Sequence, residues 1–65
     1  MYLVFHNNRN DEVNIAADYI DRVEPVHIGS SVLTRITLYG GDEAVVREDV
    51  EAVRAQVAEA LTRAA

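Results

Sequence analysis

Val32-Leu33-Thr34-Arg35-Ile36-Thr37-Leu38-Tyr39-Gly40-Gly41-Asp42-Glu43-Ala44-Val45-Val46-Arg47 is the stretch whose reading decides the fold. Over Val32–Tyr39, β-branched and aliphatic residues predict a strand, with Thr34, Ile36 and Leu38 on one side and Arg35, Thr37 and Tyr39 on the other. Gly40-Gly41-Asp42 supplies the positive φ that tight hairpins require, so Glu43–Arg47 is predicted to return antiparallel.

Working toward the N-terminus, Gly29-Ser30-Ser31 reads as a turn and Arg22–Ile28 as extended chain. Pro25 has no N–H to give a ladder, which places that strand at a sheet edge or a bulge. Ala16–Asp21 has two readings, one helical turn or the entry to the next strand, because Tyr19, Ile20 and Val23 suit both. Further back, Tyr2–His6 and Glu12–Ile15 read as strands joined by the turn cluster Asn7-Asn8-Arg9-Asn10-Asp11, whose Asn and Asp side chains bond nearby backbone. The pair is predicted to be antiparallel.

Toward the C-terminus the period changes. Val50, Val53, Val57 and Leu61 are spaced three, four and four apart, with Ala60 beside them, and predict an amphipathic helix over 49–63. Asp49 is placed to cap it and Glu51 suits its positive end. Glu51/Arg54 and Glu59/Arg63 are at ion-pair spacing. The expected fold is therefore α+β: a small antiparallel sheet of about five short strands, then one C-terminal helix, all in a single domain over 1–65.

Sixty-five residues carry six Arg, no Lys and eleven acids, a net charge of −5 with a pI near 4.7. Binding a phosphate backbone requires several cations on one face, so nucleic acid is not an expected partner. With no Cys there is no disulfide, thiolate site or cysteine nucleophile, and a reducing cytoplasm is the expected location. Neither an export signal nor a membrane span is expected, since no stretch approaches about 20 apolar residues. A chain this short buries only about 60% of its unfolded surface, which points to a partner copy.

Catalytic groupings are not apparent, and no cofactor is expected. His6 and His27 are not at ligand spacing within one element, so no metal site is predicted and both read as strand-surface histidines. Ser30, Ser31, Thr34, Thr37 and Thr62 lack a neighbouring base. Asp11-Glu12, Asp42-Glu43 and Glu48-Asp49 fall at turns or a cap and read as solvated ends. What remains is the strand face with Arg35, Thr37 and Tyr39, continued by Arg47, which reads either as an ordinary wet sheet surface or as a candidate protein-binding surface, because Arg and Tyr combine contact area with a polar end.

Val13-Asn14-Ile15, Ile20-Asp21-Arg22-Val23-Glu24, Ile36-Thr37-Leu38-Tyr39-Gly40-Gly41, Val46-Arg47-Glu48-Asp49 and Val50-Glu51-Ala52-Val53 together resemble, in order and spacing, the flagellar FlbD/SwrD family of small bacterial proteins. The usual N-terminal turn of that family is replaced here by Phe5–Asn10, and Val26–Leu33 is longer. Such sequences also look like small phage and prophage proteins. A weaker, topological likeness is to the carbon-storage regulator CsrA, with Arg47 the one RNA-contacting position that corresponds. The resemblance implies a small non-enzymatic adaptor or regulator acting by protein contact. Homodimerisation is expected through strand addition or through the stripe Val50, Val53, Val57 and Leu61. Alternatives are an acidic phage-type inhibitor of a host protein and a CsrA-like RNA binder.

Overall fold

Strand backbone ends at Val46 and helix begins at Val50, with Arg47, Glu48 and Asp49 between them. A computed structural model describes residues 1–64, in the order β1 (Tyr2–His6), β2 (Glu12–Ala16), a 3-10 turn (Ala17–Tyr19), β3 (Ile20–Ile28), β4 (Ser31–Leu38), β5 (Glu43–Val46) and α1 (Val50–Ala64). The architecture is α+β as expected, with the five strands divided between two antiparallel sheets, β1-β2 and β3-β4-β5.

Between β1 and β2, the Asn7 side chain organises the turn. Its Oδ1 accepts from the N–H groups of Arg9 and Asp11 at 2.9 and 3.0 Å, while Asn10 takes the left-handed φ of 69° that Asn tolerates. Both readings of Ala16–Asp21 are partly realised: a single 3-10 turn is followed directly by β3. There, Ile20 pairs with Leu38 but Arg22 pairs with Thr37, so Asp21 is an extra residue in a bulge. The bulge turns Ile20 and Val23, three apart, to the same side, and both pack on the core.

The hairpin from β3 to β4 turns on Gly29 and Ser30, with Ile28 opposite Ser31. Gly29 has φ of 60°, as the first position of a primed two-residue turn requires. β3 is the edge of its sheet, in agreement with Pro25. Counting ladder pairs back from the turn, Ile28, Val26 and Glu24 bond to β4, whereas His27, Pro25 and Val23 direct their backbone groups outward. The outward carbonyl of Val23 accepts from Nη2 of Arg54 on α1 at 3.0 Å. Arg54 thus ties helix to sheet edge, in place of the ion pair with Glu51 that the spacing suggested.

Phe5, Ile15, Ile36, Val46 and Val53 form the buried core, one from each of β1, β2, β4, β5 and α1. Asp49 caps α1 through Oδ1, which accepts from Ala52 N–H at 2.7 Å. Along the helix stripe, Val53 and Ala60 are buried and Val50 and Val57 half-buried, but Leu61 is 46% exposed. The stripe therefore stops short of Leu61, which lines a solvent-open depression beside Ile20 and Val23 and does not join the core. Glu59 and Arg63 do pair, at 2.6 Å, on the solvent side.

Where the two sheets meet, the seam is made by one backbone bond and one side chain. Arg47 N–H donates to the carbonyl of His6 at 2.8 Å, and where a second ladder bond would follow, His6 N–H donates instead to Glu48 Oε1 at 2.9 Å. No helix among the described residues is long and apolar enough to cross a membrane.

Candidate contact face

Ile36 and its even-numbered neighbours on β4 face the core, which leaves Leu33, Arg35 and Thr37 on the opposite side of the sheet. The register places Glu24 and Val45 beside Arg35, Val26 beside Leu33, and Arg22 and Glu43 beside Thr37. No member of the core cluster comes from this outer side, and both α1 and the β1-β2 sheet pack against the inner one.

Arg35 stands at the centre. Its Nε and Nη2 donate to one oxygen, Oε1 of Glu24, at 3.1 and 2.9 Å. Both side chains are more than a third exposed, so the pair contributes on the order of 0–1 kcal/mol to stability and mainly fixes the guanidinium in place. Around it lie three half-buried aliphatic residues, Val26, Leu33 and Val45.

Of the residues singled out in the sequence, Arg35 is on this face and the other two are at its ends. β4 closes at Leu38, so Tyr39 lies in the turn beyond it, 64% exposed, its N–H bonded to the carbonyl of Tyr19 at 2.8 Å. Arg47 is exposed and just past β5. Thr37, expected on a wet surface, is 8% exposed because its short side chain sits on the central strand between Arg22 and Glu43. Val26, Leu33 and Val45 escaped the sequence reading; alternation with Arg35 marks Leu33, but only the strand register brings Val26 and Val45 to it.

Glu48 is a second correction. Instead of a solvated end, its carboxylate is bound through both oxygens to one residue, with Oε2 2.8 Å from Nδ1 of His6 and Oε1 on the His6 N–H. Since a carboxylate only accepts, Nδ1 is assigned as the protonated ring nitrogen. The Glu48 backbone carbonyl accepts from Thr34 Oγ1 at 2.6 Å. Burial works to raise the Glu48 carboxyl, but hydrogen bonds from the His6 backbone and ring outweigh it and hold the group below its ordinary 4.5. His27 is exposed on β3.

Among the described residues no three His, Asp or Glu gather as a metal-binding group. Two depressions flank α1, both open to solvent, one against Met1 and Leu3 and one against Ile20 and Val23. Compared with known proteins, the chain matches no family model, no curated protein and no solved structure, so the FlbD-like pattern rests on the motifs quoted above.

Proposed function

We propose that this chain is a small non-enzymatic adaptor or regulator that works by protein-protein contact, homodimeric and cytoplasmic, with the outer face of β3-β4-β5 as its contact surface. The observation that carries the reading is that face itself: an uncovered sheet surface on which Arg35, held by Glu24, stands among Val26, Leu33 and Val45. Apolar area around a fixed guanidinium is the composition of protein interface centres, where Arg is enriched. Arg47 at the margin supplies a further cation, while Tyr39 lies outside the face.

A photo-reactive residue placed at position 33, compared with one at position 12 on β2, tests this in the cell that makes the protein. Adducts that form from position 33, fail to form from position 12 and vanish when Arg35 is changed to Glu support the reading. Equal yields from the two positions, counting self-adducts, overturn it.

A further inference from the structure

We infer that the molecule that covers the outer face of β3-β4-β5 is a second copy of this chain, packed sheet against sheet about a two-fold axis. The inference rests on the proposal that this face is a contact surface, and it names the occupant.

Charge is the first reason. The chain carries −5, so most surfaces of two copies repel when brought together. On the outer face, Arg22 and Arg35 balance Glu24 and Glu43, and Arg47 follows at the margin. Two copies can therefore meet here without setting acid against acid. In a face-to-face pair with sheets about 10 Å apart, Val26, Leu33 and Val45 meet their counterparts, and each Glu24–Arg35 pair lies near one of opposite sense.

The hairpin is the second. From Pro25 to Thr34 the chain has no Asp, Glu or Arg for ten residues, although 26% of the whole is charged. β5 pairs with β4 only as far as Thr34, so beyond that point β3 and β4 continue as a two-stranded ribbon bearing Val26, Ile28 and Leu33 on its outer side. Such ribbons are at best marginal alone and gain from a covering layer.

Two other routes to a dimer are closed. Strand addition along β3 meets Pro25, which has no N–H, and Val23, whose carbonyl is already taken by Arg54. The helix stripe is used inside the monomer, with Val53 and Ala60 buried. A face of three strands, ~30 Å along β3 and ~10 Å across, is a small footprint, so the dimer is a weak one.

Sedimentation equilibrium and amide NMR across about 10 µM to about 1 mM, a range suited to small interfaces, test the inference. The expected result is a mass rising toward twice the 7.2 kDa of one chain, with concentration-dependent amide shifts confined to residues 22–28, 33–37 and 43–47. Leu33→Glu should hold the protein at monomer mass, whereas Leu61→Glu should dimerise as before. A monomer at every concentration overturns the inference, and so does a dimer whose shifts lie on α1 or β1-β2. The wild-type shifts decide even if Leu33→Glu fails to fold. Adducts from position 33 to other proteins, together with a monomer here, would sink the second-copy inference and the homodimer with it, and spare the reading of this face as a protein-contact surface.

Discussion

Glu48 grips His6 twice, accepting the backbone N–H through Oε1 at 2.9 Å and facing the ring Nδ1 through Oε2 at 2.8 Å. One side chain thereby does the work of a missing ladder bond between β1 and the end of β5. Glu48→Ala should cost about 1–3 kcal/mol, the range for leaving a part-buried donor without its charged acceptor. Urea denaturation at pH 7 measures it, and a loss under about 0.5 kcal/mol, the range of ordinary surface substitutions, would show that the seam does not depend on this carboxylate.

The same group makes the seam sensitive to acid. Its carboxyl titrates lower in the folded chain than in the unfolded one, where 4.5 is the ordinary value. The stabilisation it gives is therefore complete above about pH 4.5 and is lost as pH falls through the lower folded value. The stability difference between wild type and Glu48→Gln should shrink on acidification through that window. A difference that stays constant from pH 7 to pH 3 contradicts the assignment.

Ile36 is fully buried and Leu61 is 46% exposed, so truncating the two should have very different effects. Ile36→Ala should cost about 2–5 kcal/mol, and Leu61→Ala should stay within about 0.5 kcal/mol in the monomer. Thermal unfolding at low protein concentration reads both.

Removing the two features that blunt β3 should make it adhesive. Pro25→Val restores an outward N–H, and Arg54→Ala frees the carbonyl of Val23. The double variant is expected to form larger aggregates, visible by light scattering, under conditions where wild type does not. If it remains as soluble as wild type, the edge is protected by something other than these residues.

Much of the architecture was legible because local patterns coincided with it. The alternation through Thr34, Ile36 and Leu38, the glycines before Asp42 and the Asp49 cap each depend on neighbours a few residues away. Asp21 was not legible, since a spacing of three between Ile20 and Val23 fits a helical turn and a bulged strand equally. The tie of Glu48 to His6 spans 42 residues and leaves no local signature. Leu61 misled for a related reason: helical spacing says which side a residue occupies but not where the sheet beneath it ends. On the contact face, Arg35 could be found from alternation within one strand, but its neighbours Val26 and Val45 required the pairing of three.

The bulge at Asp21 also sets where the chain tolerates a change in length. Upstream of it, the 3-10 turn connects the two sheets, with Ala17 N–H donating to the Met1 carbonyl and the Tyr19 carbonyl accepting from Tyr39, so an added residue there disturbs these two bonds but leaves the paired strands in phase. Downstream, from Arg22 to the Gly29 turn, one residue more or less would exchange the inner and outer sides of β3, sending Val23 to solvent and Glu24 toward Ile36. Between Ala17 and Ile28, length variation should accordingly fall on the upstream side of a single aspartate.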